Sequence, residues 1–549
     1  MNSIQKETET KRYSESDFSI SRRGFLGGAS GVAALGVLGV PALGLVSPEA
    51  GAEIIDPLAA NQRRNQAYKI RQQAAIVQKQ ASIPSQPTNS DEMLYSGKIA
   101  NYSKGLPHNS LGEVDINAYN ALTDALASGD PADYGSIPMG GTAKLANPQA
   151  AQAYSLEGRD SHAFVIPAFA SFNSEALAGE MAEVYWHALA RDIPFSQYGS
   201  ESITAAAITD LSAFNNYAGI NASNLFRGTT PGEDNGPLVS QFLWKDIPYG
   251  PSTIVQRYKS PVAGDVHMTL YADWLNIQKG AAPTTAIAFD STERYIRNAH
   301  DLAEWTHKDF SYQGFLNAAL ILMGMGAARD PHPYSGSATQ GAFITFGGPH
   351  ILEMVAKAAY AGLKAAWYQK WQVHRALRPE VFAGRIHNHI TGAATYPIHS
   401  KILNSSAVTA IYNQHGTYLL PMAAPEGSPT HPSYPAGHAT IAGACITMLK
   451  AFFKESHIIA NAVEADDDGL VLNSYTDTAL TVGGELNKLA SNISLGRDYL
   501  GVHYRQDGIN GMLLGEQVAI QLLNESKALF NEPGVNFTFA DFSGNTVTI

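Results

Sequence analysis

Three short stretches carry residues able to do chemistry together: 370-KWQVHRALRPE-380, 431-HPSYPAGHAT-440 and 497-RDYLGVHYRQD-507. In the first, Lys370 and His374 are one helical turn apart and Arg378 is two turns from Lys370, so the three are predicted to share a face. Pro379 disfavours the α conformation at Arg378, which predicts a helix end there and a guanidinium released into a loop. In the third stretch, Gly496 and Gly501 predict a turn between Arg497 and His503. His503 and Asp507, four apart, face each other if a helix starts near His503. A carboxylate so placed accepts one imidazole N–H and leaves the other nitrogen as a fixed lone pair, which suits a ligand or a nucleophile. In the second stretch, Pro432 and Pro435 stiffen a loop, Gly437 allows close backbone approach, and 439-ATIAGACITMLKAFF-453 is predicted as a helix. Its N-terminal N–H groups point back at the loop, which makes an anion site. Lys370, Arg378 and Arg497 then supply three cations, His438 stands at the rim as an acid or base, and His431 lies on the other side. Blander readings exist for each stretch alone: a basic helix end complements its own dipole, and a His–Asp pair can be a surface feature.

The elements that must position these residues are mostly helical. Apolar residues recur at intervals of three and four in 174–192, 291–326, 349–377 and 508–526, while strand signals are confined to 343-FITF-346 and 546-TVTI-549. The fold class is mainly α. Of the 549 residues, 45% are hydrophobic and 16% charged, which excludes a disordered chain and allows a large core. Lys and Arg number 37 against 49 Asp and Glu, a net charge of −12, which argues against nucleic acid or an anionic membrane as partner. A cluster of cations in such a chain is local and purposeful. Cys445, the only cysteine, excludes an intrachain disulfide and a cysteine-based zinc site, and its apolar neighbours predict a small core residue.

Three segments are expected along the chain. In 1–52, Arg22-Arg23-Gly24-Phe25-Leu26 precedes a weakly apolar Gly/Ala-rich run and small residues at 50–52, which resembles a twin-arginine signal exporting a folded protein to the periplasm or outside the cell; an uncleaved anchor is the alternative. Residues 53–150 mix short helical patterns with Pro/Ser/Asn-rich breaks and are expected to wrap or make oligomer contacts. Residues 151–549 would form the helical domain, with the site between 295 and 530.

Lys370, seven residues, Arg378-Pro379; then Pro435-Ala436-Gly437-His438; then Arg497, Gly501-Val502-His503 and Asp507: in this order the motifs resemble those of the vanadium-dependent haloperoxidases, which share their pattern with the type 2 phosphatidic acid phosphatase superfamily. The seven-residue gap and the text AWYQKWQVHRALRPE are closer to the algal-type bromoperoxidases and their bacterial relatives than to the fungal chloroperoxidases, and the similarity runs from about Glu180 to about Glu516. The resemblance implies one large α-helical domain of two bundles, with the site at a bundle end and assembly into dimers or larger rings. It implies vanadate as cofactor, with His503 as axial ligand and Lys370, Arg378, Arg497 and the Gly437 N–H on its oxygens. His438 would act as acid/base toward hydrogen peroxide, and Lys370 would polarise the bound oxidant toward halide. His431 and Trp367 fall where the family flanks the approach of halide, and the histidine favours bromide or iodide over chloride. Asp309 lies where a family aspartate pairs with the arginines. Ala436 departs from the usual serine, whose hydroxyl donates to the cofactor, so weaker retention of vanadate is expected.

Two other functions fit the same residues. An acid phosphatase would use His503 as nucleophile, oriented by Asp507, with His438 protonating the leaving group; vanadate would inhibit it. A non-catalytic exported binding protein with a decayed site would begin its decay at Ala436. The longer algal-type text and His431 favour the haloperoxidase over the first, and the intact Lys370, Arg378, Gly437, His438, Arg497 and His503 count against the second.

Overall fold

The computed structural model describes residues 59–549. The expected signal segment 1–52 therefore lies outside the described residues. Two units are distinguished, Met1–Ala67 and Tyr68–Ile549. The helix Ala60–Gln80 is polar and buries none of its residues.

The second unit is mainly α, as the periodicities predict. The helices that frame the site are α1 (Glu175–Ala190), α2 (Ala299–Lys308), α3 (Gly348–Tyr368), α4 (Pro379–Ile390), α5 (Gly437–Phe452), α6 (Val482–Leu500) and α7 (Arg505–Ser526). Strands among the described residues form two-stranded antiparallel pairs only, of which β1 (Tyr258–Pro261) with β2 (Phe289–Arg294) lies near the site. Helix α5 is central and packs on α7, α3 and α6.

Small residues fix how closely these helices meet. A Cβ on Gly443 of α5 would fall 2.0 Å from the Met512 carbonyl oxygen, and one on Gly515 of α7 would fall 2.0 Å from that of Thr440. The two glycines thus let α5 and α7 approach to backbone contact, and the N-terminus of α5 is held beside the start of α7. The Ala436 N–H donates to the Asp507 carbonyl at 2.9 Å across that junction.

Several sequence expectations need correction. The 291–326 pattern opens as strand β2 and is broken at 309–312, because its first residues pair across Tyr258–Pro261 rather than turning helically. Residues 343–346 are not a strand: they close on themselves through a Phe343–Phe346 bridge, with Phe346 at φ +60° and Phe343 and Ile344 largely exposed, so no second strand pairs with them. The strand expected at 546–549 forms over Thr546–Thr548. The compact unit that begins at Tyr68 takes in most of the segment expected to wrap or make oligomer contacts. Tyr102, Leu106, Tyr119 and Leu122 pack around Trp371, so the segment before 150 forms the wall behind Lys370.

Candidate active site

Helix α3 ends in a π-helical turn, Gln369–His374, that places Lys370. The wider turn closes at Arg375, which adopts φ +41° and is held by Glu92 on its Nε (2.8 Å) and Nη2 (2.5 Å). Such a single turn often marks a functional site, because it rotates a side chain off the regular helical face. This is why His374 does not follow Lys370 as predicted. His374 packs edge-on against Tyr434 instead, with ring centroids 4.7 Å apart. Arg378 is also placed differently: the helix has already ended, and Arg378 is the extended residue before α4, with Pro379 at its first position. Proline suits that position because its missing N–H is not needed there.

Lys370 and Arg378 are fully buried, and Arg497 and His503 nearly so, at 5% and 2% exposure. Lys370 Nζ donates to the carbonyls of Pro432 (2.8 Å) and Ser433 (2.6 Å). Arg378 donates from Nη1 to the Val502 carbonyl (2.7 Å) and to His503 Nε2 (2.9 Å), and from Nη2 to His431 Nδ1 (3.0 Å). Arg497 lies within α6, one turn before its end. Gly496 does not turn the chain; its missing Cβ accommodates Thr306, and the turn occurs only at Gly501, at φ +90°. Arg497 Nη1 donates to the Thr306 carbonyl at 2.7 Å, while its buried Nε has no partner.

His503 lies just before Tyr504, the N-cap of α7, and its Nδ1 meets Asp507 Oδ2 at 2.8 Å. An ionised carboxylate only accepts, so the hydrogen-bond network assigns the proton to Nδ1 and the lone pair to Nε2. The same oxygen accepts from Ser433 Oγ at 2.5 Å and from the Tyr504 N–H at 3.3 Å. Burial pushes the Asp507 carboxyl up to about 6 against the opposing pull of Ser433 and Lys370. Burial, then Arg378 and Lys370, push His503 well below the usual imidazole range, so it is neutral. Burial followed by Arg378 likewise lowers Lys370 well below an ordinary lysine. Arg378 and Arg497 are lowered by burial only to about 10 and stay charged at neutral pH.

His438 is the second residue of α5. Its Nε2 meets Asp309 Oδ1 at 3.0 Å, and its ring is 28% exposed. Burial and then Arg497 lower its pKa, while Asp309 raises it. Asp309 is therefore paired with His438 rather than with the arginines, although Arg497 senses its charge. Trp367 lies on His431 with ring centroids 4.8 Å apart, and its indole N–H is tied to the carbonyls of Ala146 and Asn147 at 3.2 Å each. A Cβ on Gly437 would meet only Leu363 and Trp367, at 3.5 and 3.6 Å, so the protein itself does not demand glycine there.

All the nominated residues except His374 thus converge, from the ends of α2, α3 and α6 and the starts of α4, α5 and α7. Sequence reasoning missed Ser433, whose hydroxyl fixes Asp507, although it lies inside the 431–440 stretch. It also missed the Thr306 and Pro432 carbonyls, which carry no residue-type signal at all. The arrangement is a cradle of fixed donors around one lone pair: two buried arginine cations, the buried Lys370 amine, an unpartnered Arg497 Nε, and a helix start whose capping residue, Ala436, offers no side-chain acceptor. Such a cradle fits a tetrahedral or higher oxyanion.

The comparisons with known proteins agree with that chemistry. A family model described as the VCPO second helical-bundle domain matches residues 350–532, the stretch containing Lys370 through Asp507. A vanadium-dependent bromoperoxidase of Ascophyllum nodosum is 36% identical over 526 residues, which span 90% of this chain and 94% of the relative. The chain belongs to the vanadium-dependent bromoperoxidase family. Another bromoperoxidase, from Corallina pilulifera, is 34% identical and covers 84% of this chain and 94% of its own. The homohexameric structure of the second vanadate-dependent bromoperoxidase from Ascophyllum nodosum superposes with a TM-score of 0.87 at 31% identity, covering 93% of this chain and 94% of that one. In this bromoperoxidase-family chain, full-length likeness, and not the cradle alone, weighs against the phosphatase reading.

Proposed function

We propose that the chain is a vanadate-dependent haloperoxidase that oxidises bromide or iodide with hydrogen peroxide and so halogenates organic acceptors. One observation carries the reading: Lys370, Arg378 and Arg497 are buried around the lone pair of His503, in a chain of net charge −12, with donors still uncommitted. The donor set suits vanadate. His503 Nε2 would hold the metal centre, and Arg378 Nη1, which now donates to that nitrogen, would be released to a cofactor oxygen. Lys370, Arg497 and the first N–H groups of α5 would complete the cradle.

Bound vanadate would supply a Lewis-acidic centre that makes peroxide oxygen electrophilic without changing the metal's oxidation state. The protein's part is electrostatic and protonic. Arg378, Arg497 and the Lys370 amine hold negative charge in place and need no reorganisation as the reaction proceeds. His438 donates through Nε2 to Asp309, so Nδ1 is the nitrogen available to take a proton from hydrogen peroxide and return it later. His431, neutral and locked by Arg378, and Trp367 form the wall along which halide approaches. Overall, bromide, hydrogen peroxide and one proton give hypobromous acid and water: bromide loses two electrons, and the O–O bond takes them.

Self-association and export complete the proposal; the homohexameric relative supports the first, and the twin arginines at 22–23 support the second. No helix among the described residues is long and apolar enough to cross a membrane. The decisive experiment is bromination of a phenol or diketone dye by EDTA-stripped protein with hydrogen peroxide and bromide, before and after orthovanadate is added, with phosphate as competitor. Activity that requires vanadate and is suppressed by phosphate is the expected result. Hydrolysis of p-nitrophenyl phosphate that vanadate inhibits, with no bromination, would reverse it.

A further inference from the structure

A cavity of about 330 Å³ is lined in part by Asp309, the partner of His438. Its aromatic walls are Tyr258 of β1, Phe289 of β2 and Trp305 of α2, and its charged lining includes Lys259, Lys308 and Asp309. Tyr258 and Trp305 stand edge to face, with centroids 6.3 Å apart and planes at 87°. The Trp305 indole nitrogen is buried and turned toward the Tyr258 hydroxyl, which donates its own proton to Gln256 at 2.6 Å. Phe289 is 40% exposed on the outer strand of the β1–β2 pair.

The charges around the cavity are unequally committed. Asp309 is engaged by His438 at 3.0 Å, and Glu304, also in the lining, by His307 at 2.9 Å. Among the described residues, neither Lys259 nor Lys308 makes an ion pair. The opening therefore presents two unpaired ammonium groups above an aromatic floor. One residue, Asp309, separates it from the acid/base histidine.

We infer that this cavity binds the organic acceptor, and that the acceptor is an electron-rich phenol carrying a carboxylate or similar anionic group. The inference rests on the haloperoxidase reading. The ring stacks among Tyr258, Phe289 and Trp305, and the anionic tail meets Lys259 and Lys308. Hypobromous acid formed at the cradle then reaches a held ring next to His438. In the transfer, a C–Br bond replaces an aromatic C–H bond, and the released proton leaves with hydroxide as water. A held ring intercepts the oxidant before it diffuses away.

The test uses 4-hydroxyphenylacetate as probe and two readouts. Calorimetric titration of the purified full chain, with no peroxide or halide present, measures binding alone. Oxidation of iodide to triiodide without organic acceptor measures the halide chemistry alone. Saturable binding of the probe is expected, weakened about five- to ten-fold in the Lys259→Gln/Lys308→Gln double variant, with KM for its bromination rising in parallel and triiodide formation unchanged. Phe289→Ser is expected to weaken both the probe and uncharged phenol, whereas the double variant spares phenol. Absence of saturable binding, or equal binding by wild type and both variants, overturns the inference whatever the triiodide assay gives. Loss of triiodide formation in the vanadate-loaded wild type instead overturns the function on which it rests.

Discussion

Asp507 Oδ2 accepts the Nδ1 proton of His503 across 2.8 Å while also receiving Ser433 Oγ at 2.5 Å. One carboxylate oxygen thus decides which imidazole nitrogen keeps its lone pair, and the serine holds the carboxylate in that pose. Asp507→Asn should let the ring choose either tautomer and weaken vanadate binding about 10- to 100-fold, the usual cost of losing the partner behind a metal-binding histidine. Vanadate titration of the stripped enzyme, read by regained bromination, checks this. Ser433→Ala should give a smaller loss of the same kind. Unchanged affinity in both variants would mean that the backbone alone orients His503.

Ala436 precedes α5 without a side-chain cap, and its N–H is already tied to Asp507. A hydroxyl at this point faces two uses, donation to a cofactor oxygen or acceptance from an N–H of its own helix. Ala436→Ser should therefore tighten vanadate binding by up to about 1.5–3 kcal/mol, the usual worth of a hydrogen bond to a charged group. If the hydroxyl caps the helix instead, thermal stability without vanadate rises by about 1 kcal/mol and affinity does not change. Affinity and melting temperature measured on the same preparations separate the two. No change in either would sink the idea that this departure from the family serine matters.

How much of this was legible beforehand follows from what each contact is made of. Side chains with a fixed chemical role, such as Lys370, Arg378, Arg497, His438, His503 and Asp507, were readable because type and spacing carry the information. The mainly α class was readable from the 3.6-residue period. The local geometry of Lys370 was not, because a π-helical turn closed by a left-handed Arg375 depends on Glu92, 283 residues away in sequence. Carbonyl acceptors such as Pro432 and Thr306 are invisible to any reading of residue types. Gly496 misled because a glycine needed for close packing against Thr306 reads the same as one needed for a turn.

His438 and Asp309 yield a pH-dependence with a definite sign. Asp309 raises the pKa of His438 against the lowering by burial and Arg497. Asp309→Asn removes that contribution, so His438 stays neutral to lower pH and is a weaker base. The acid limb of the kcat/KM profile should move to lower pH, and the plateau should fall by less than the roughly 10²–10⁴-fold cost of deleting a general base. His438→Ala supplies that reference. A plateau loss with no movement of the acid limb would assign the limb to another group.

Glu180 of α1 packs behind the site, where its Oε2 accepts from Gln506 at 2.8 Å and burial, followed by the Asp507 charge, pushes its carboxyl up to about 8. In the unfolded chain a glutamate loses its proton near 4.5, so between that pH and about 8 the folded state holds a proton that the unfolded state has released. Stability then falls as pH rises through this window, because the native state binds more protons. Glu180→Gln keeps an acceptor for Gln506 and removes the ionisation. The variant should melt higher than wild type at pH 8, the gap should open progressively from pH 5 to pH 8, and it should stay level above that. Thermal melts of both proteins across that range provide the check, and a gap that does not depend on pH would show that burial does not hold the proton on Glu180.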